Sequence, residues 1–111
     1  MKKSASCLIA LLVFSCCVYA ELQEEKWKTI FLKYLPEDSS KESVEMREYF
    51  KKAPVEGIYP FGAGICEALK EGQHKKDILE KSYYHFWGVP ASDAMYKASI
   101  EVICPEYKAR R

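Results

Sequence analysis

The side chains with the means to do chemistry in this chain are five cysteines, two histidines, a scatter of carboxylates and one run of five rings. His74 and His85 stand eleven residues apart in a stretch with helical spacing, so they do not share a face as an i, i+4 metal pair does. Neither falls in a Cys/His spacing associated with zinc. Ser82 lies three residues before His85, a separation that any helix produces, and there is no Gly-x-Ser-x-Gly elbow to expose a nucleophile. Glu67, Glu71, Glu80 and Glu101 could in principle pair as general acid and base. Each sits among lysines (Lys70, Lys75, Lys76, Lys81, Lys97), the pattern of a solvated helical surface. The expectation is a protein that is not an enzyme and that uses no metal and no cofactor.

The cysteines divide by position. Lys2 and Lys3 precede an unbroken apolar run from Cys7 to Phe14, followed by Val18-Tyr19-Ala20 and then the polar Glu21-Leu22-Gln23-Glu24-Glu25. A positive end, an apolar core too short to span a bilayer and a small residue at the cleavage point make a secretory signal peptide over residues 1–20. The mature domain is then residues 21–111, secreted or periplasmic. Cleavage removes Cys7, Cys16 and Cys17 and leaves Cys66 and Cys104, an even count that reads as a disulfide in an oxidising compartment. Val13-Phe14-Ser15-Cys16 loosely follows a bacterial lipobox, and lipidation at Cys16 is the alternative, which would put the protein on a membrane. Phe14 is bulky for that pattern and Cys17 would be left unpaired, so the soluble form is preferred.

Removing 20 of the 111 residues leaves 91, enough for one domain and too few for two independent cores. Without Lys2 and Lys3 the domain carries 15 basic against 16 acidic residues, a formal charge of −1. Binding to nucleic acid needs a basic excess or stripe, and the short clusters Lys51-Lys52, Lys75-Lys76 and Arg110-Arg111 are interleaved with acids. Nucleic acid is therefore not an expected partner. A bridge from Cys66 to Cys104 would close a loop worth roughly 4 kcal/mol in the chain-entropy model, comparable to the net stability of so small a domain.

The elements that must position these groups read as helices. Trp27, Ile30, Phe31, Tyr34 and Leu35 fall on one stripe that Pro36 ends. Ser39 with Glu42 forms a capping-box pattern for a second helix carrying Met46, Tyr49, Phe50 and Ala53, stopped at Pro54. Pro54 to Pro60, with Gly57 between, reads as a turn. Phe61, Ile65, Ala68 and Leu69 make a third stripe that ends at Gly72, a C′ position. Gly62 and Gly64 within it mark either a close helix crossing or a frayed first turn. A fourth helix runs from about Lys75 to Trp87 with Ile78, Leu79, Ser82, Tyr83 and Phe86 inward and Gly88 as its stop. Pro90 with Ser92 or Asp93 opens a fifth, bearing Met95, Ala98, Val102 and Ile103 and closed by Pro105. No segment alternates at period two, so the fold class is all-α, a small bundle of about five short helices stapled by one disulfide.

Phe61-Gly62-Ala63-Gly64-Ile65-Cys66-Glu67-Ala68-Leu69-Lys70-Glu71-Gly72, with Ala98 to Pro105 some thirty residues later, resembles the domain of unknown function 732, a family of small secreted or lipid-anchored bacterial proteins. Gly62, Cys66, Leu69, Gly72, Ala98, Cys104 and Pro105 carry the resemblance, whose specific part spans about 61–105. It implies a helical fold and a Cys66–Cys104 disulfide, and no activity. The Pro36 to Tyr59 stretch is longer and more charged than the corresponding part of that family, and Tyr83-Tyr84-His85-Phe86-Trp87 replaces an alanine-rich helix. A looser likeness, in architecture alone, is to small periplasmic immunity proteins that neutralise peptidoglycan-cleaving toxins.

That aromatic run is where a functional reading competes with a packing one. Five rings in succession sweep about 400° of a helix at about 100° per residue, so they cannot all face one core. In one reading Tyr83, Phe86 and Trp87 are core and Tyr84 and His85 form the rim. In the other, Tyr83, Tyr84, His85 and Trp87 belong to a protein-recognition surface. The expected function is an exported, non-catalytic binding module for an unknown protein partner in the envelope or outside the cell, with a periplasmic inhibitor or toxin-immunity protein as the alternative. The leader makes the first testable statement. Mass spectrometry of the exported protein should find an N-terminus at Glu21, and a diacylglycerol-modified Cys16 would move it to a membrane surface instead.

Overall fold

The computed structural model describes the backbone of residues 21–110 and the side chains through Lys108; the expected signal peptide and Cys16 lie outside the described residues. The fold is all-α. Helix α1 occupies 21–34, α2 Lys41–Lys52 and α3 Val55–Lys70. Helix α4 is a continuous run over 75–87, α-helical at Lys75–Ile78, a π-turn at Leu79–Tyr83 and α-helical again at Tyr84–Trp87. Helix α5 spans Val89–Val102, and a 3₁₀ segment, Pro105–Arg110, follows it.

Helix α5 is the centre of the bundle. Ala91, Ser92, Ala94, Met95, Tyr96, Ala98, Ser99 and Ile100 are all buried, more than one stripe can hold, because α3, α4 and the 3₁₀ segment surround it. Met95 and Ala98 fall on the expected stripe while Tyr96 and Ile100 do not, since a helix covered on most sides has little periodicity. Helix α1 supplies Trp27 and Phe31, and Leu35 follows just past its end; each is at most 2% exposed, with the Trp27 and Phe31 rings stacked at 5.2 Å.

Three local expectations need correction. The second helix is capped by Ser40, not Ser39: Ser40 Oγ accepts the Ser43 N–H, while the Asp38 carboxylate accepts from Ser40 N–H and Ser43 Oγ–H. Those hydrogen bonds, the Ser40 ones foremost, hold the Asp38 carboxyl down at about 2. Ser43, Met46, Phe50 and Ala53 face inward on this helix, and Tyr49, expected inward, is 61% exposed.

Pro54 to Pro60 is not a turn. Helix α3 begins at Val55 and carries Pro60 in its interior. A proline there forfeits one backbone hydrogen bond and crowds the preceding turn, about 3 kcal/mol in an ordinary helix. Burial of Val55 and Ile58 offsets this, together with Tyr59, whose ring meets Trp27 edge-on at 5.7 Å and whose hydroxyl accepts from Gln23 Nε2 at 2.8 Å. The end of α3 is as expected: Gly72, at φ +94°, donates to Leu69 O and Gln73 donates to Ala68 O, a Schellman motif.

The early start of α3 also decides between the two readings of Gly62, which lies in mid-helix. A Cβ on Gly62 would come within 2.6 Å of the Trp27 indole, so glycine is there to let α1 and α3 touch. Across the same crossing Trp27 Nε1 donates to Ser99 Oγ at 3.1 Å. The single Ser99 hydroxyl proton serves the carbonyls of Met95 and Gly62, at 2.7 and 3.0 Å. The Cys66 and Cys104 sulfurs lie 2.03 Å apart, a disulfide from the middle of α3 to the end of α5, and both rest against the Ser99 carbonyl.

Two glycines of one helix should therefore respond in opposite directions to alanine. Gly62→Ala overpacks the crossing and should cost about 1–3 kcal/mol in urea unfolding. Gly57→Ala, whose Cβ would meet one atom at an ordinary 3.9 Å, should gain up to about 1 kcal/mol from helix propensity. Ser99→Ala strands the Trp27 N–H and should cost about 1–3 kcal/mol.

Candidate functional site: an aromatic cleft between α3 and α4

The aromatic run departs from regular helical periodicity, for a geometric reason. In the π-turn the Tyr84 N–H bonds to Leu79 O, five residues back, so one extra residue enters the turn and every later side chain is rotated by about 100°. Ile78 and Leu79, which precede the shift, are buried as expected. Beyond it Trp87 takes the inward place that unbroken periodicity gives to Phe86. Phe86 is 70% exposed and Ser82 is also exposed, so both expectations of an inward position are overturned.

The four expected surface residues occupy different environments. His85 is exposed; Tyr83, Tyr84 and Trp87 are half-buried. Tyr83 donates its hydroxyl to Phe61 O at 2.5 Å, tying α4 to α3, and Tyr84 donates to Asp93 Oδ1 at 2.9 Å, tying α4 to α5. Burial raises the Tyr83 phenol above its ordinary pKa. Burial, then the Asp93 hydrogen bond and the charges of Asp93 and Glu80, raises that of Tyr84. Both therefore stay protonated near neutral pH and act as fixed donors. Trp87 Nε1 is buried, with no acceptor among the described residues.

Around Phe86 the rings form a cleft of about 310 Å³ lined by Phe61, Ser82, Tyr83, Phe86 and Trp87. Phe61 and Phe86 are nearly parallel, 21° apart with centroids at 5.8 Å. Trp87 stands across them, at 87° to Phe61 and 74° to Phe86, and Tyr83 is at 89° to Phe61. The aromatic contacts continue inward from Trp87 to Phe50 and Phe31, so the cleft is the outer end of a column of rings rooted in the core. Of the lining residues, Ser82 and Phe86 are the ones whose expected inward position fails, and for Phe86 the π-turn is the reason; Phe61, on α3, is half-buried against the core.

The groups weighed as chemistry do not converge. His74 and His85 are exposed, as are Glu67, Glu71 and Glu80, while Glu101 accepts a hydrogen bond from the Tyr34 hydroxyl. Among the described residues no three His, Cys, Asp or Glu side chains group closely enough to hold a metal ion, and no helix is long and apolar enough to cross a membrane. What the arrangement offers is an uncharged aromatic surface on a helix tied to α3 and α5 by tyrosine hydrogen bonds.

Phe86→Ala should change unfolding stability by no more than about 0.5 kcal/mol, as for other exposed positions. Trp87→Ala, which removes the ring contacted by Phe50, Phe61 and Phe86, should cost about 2 kcal/mol or more by the same measurement. No family model, curated protein or solved structure matches this chain.

Proposed function

We propose that this chain is an exported, non-catalytic binding module whose aromatic cleft meets a protein partner in the envelope or outside the cell. The observation that supports it is Phe86: a ring left 70% exposed on a helix fixed to two neighbours by tyrosine hydrogen bonds. Large apolar side chains held in place at a surface are the usual anchors of protein recognition, because little conformational entropy remains to be lost on binding. Export rests on the leader over 1–20, and the soluble form on the even cysteine count that cleavage after Ala20 leaves.

The resemblance to the domain of unknown function 732 bears on the scaffold alone and carries no activity. Of the positions that carry it, Gly62 sits at the Trp27 crossing, Cys66 and Cys104 are bridged, Leu69 and Ala98 are buried, Gly72 takes the left-handed cap and Pro105 opens the last 3₁₀ turn. Every one is an architectural residue.

The test is affinity capture from envelope extract with the oxidised domain 21–111, run beside Phe86→Ser. A protein retained by the wild-type domain and reduced at least about tenfold with Phe86→Ser, at unchanged thermal midpoint, supports the proposal. Equal retention by both would remove the cleft from the interface.

A further inference from the structure

We infer that the second half of α4 is a two-register element: the π-turn that exposes Phe86 exchanges with a straight helix that buries it. The inference concerns the helix itself and needs no partner. In the register described above three features are unfavourable. Phe86 is 70% exposed, the Trp87 Nε1–H is buried with no acceptor among the described residues, and the turn over Leu79–Tyr83 is one residue wider than an α-helical turn. Two hydrogen bonds hold it in place, from Tyr83 to Phe61 O and from Tyr84 to Asp93 Oδ1.

Taking the extra residue out of the turn relieves all three features at once. Each later side chain turns back by about 100°, so Phe86 takes the inward place that Trp87 holds against Phe50, and His85 takes the outer place of Phe86. Trp87 moves toward the surface, where water meets its N–H. Tyr84 passes to the exposed place of His85 and gives up Asp93. The straight helix is longer by about 1.5 Å, the rise of one residue. Gly88, directly after Trp87, is built to absorb that length. Its φ of +82° and ψ of 164° lie in a region that glycine alone visits freely, and nothing lies within 4 Å of where a Cβ would be. The bulge itself is not pinned by sequence, since Leu79-Glu80-Lys81-Ser82-Tyr83 holds neither proline nor glycine.

With two hydrogen bonds favouring one register and a buried ring favouring the other, the two are close in free energy, the condition for a minor state populated at about 0.1–10%. The cleft is open in the π register alone. A protein held through Phe86 therefore selects that register, a consequence that rests on the binding role proposed above, as the exchange itself does not.

Nitrogen relaxation dispersion on the oxidised domain 21–111 reads the exchange, because helix register shifts fall in the μs–ms range. The Trp87 indole N–H and the backbone amides of 83–88 should share one exchange process, and the indole of Trp27, held at the α1–α3 crossing, should show none. Two substitutions should move the minor population in opposite directions. Tyr84→Phe removes a hydrogen bond made only in the π register and should raise it about 2- to 10-fold. Phe86→Ser removes the ring that only the straight register buries and should lower it at least about tenfold. Simple fraying of the helix end would respond little to Phe86→Ser, an exposed position. A static Trp87 indole in the wild-type protein, or a minor population that Phe86→Ser leaves unchanged or raises, would overturn the inference. Either result would leave capture of a protein partner standing, because that is read by a separate measurement.

Discussion

The contact between Trp27 and Gly62, locked by the Ser99 hydroxyl, is the constraint around which the rest of the domain is arranged. A small domain cannot bury enough aliphatic surface to be generously stable, and this one places one of its two tryptophans at the meeting point of three helices. The indole reaches that position only because residue 62 has no side chain, and its N–H is tolerable there only because Ser99 accepts it. The same Ser99 carbonyl ends α5 by accepting from Ile103 and Cys104 and lies against both sulfurs of the disulfide. One serine thus joins aromatic packing, helix termination and the covalent staple.

From that point the aromatic contacts run outward without a break, from Trp27 through Phe31, Phe50 and Trp87 to Phe61 and Phe86. Edge-on and stacked ring pairs each add about 0.5–1.5 kcal/mol beyond the area they bury, and their preferred angles also fix orientation. The orientation of the surface rings is therefore inherited from the core. This matters for binding, since a cleft whose walls are set before a ligand arrives leaves less entropy to be lost on complex formation.

The helical content, the core stripes of α1 and α4's first half, the cap at Gly72 and the Cys66–Cys104 pair were legible because each depends on residues close in sequence or on a count. Pro60 and Phe86 were not legible, for different reasons. Proline argues locally against a helix, and only tertiary packing of Val55, Ile58 and Tyr59 overrides it; for Tyr59 that packing is against the ring of Trp27, distant in sequence. Phe86 was assigned inward by a period of 3.6 that holds up to Leu79 and fails at the π-turn. Leu79-Glu80-Lys81-Ser82-Tyr83 contains neither proline nor glycine, the residues that ordinarily mark a helical irregularity. The crowding of five rings did show that some had to be exposed, but not which.

A π-turn has a cost that ordinary helix avoids, and here the tertiary contacts that sustain it are also those that shape the cleft. Tyr83 and Tyr84 are consecutive, yet each finds a partner on a different helix, Phe61 O on α3 and Asp93 on α5. In a regular helix adjacent side chains diverge by about 100°, so two neighbours can bridge to two flanking helices only if the run lies in the groove between them. The widened turn seats it there. It then turns Trp87 inward against Phe50 and leaves Phe86 outward against Phe61. A straight α4 would give the inward place to Phe86 and a smoother, more polar surface. The irregularity is thus what converts an aromatic-rich packing helix into one that keeps its rings both anchored and accessible.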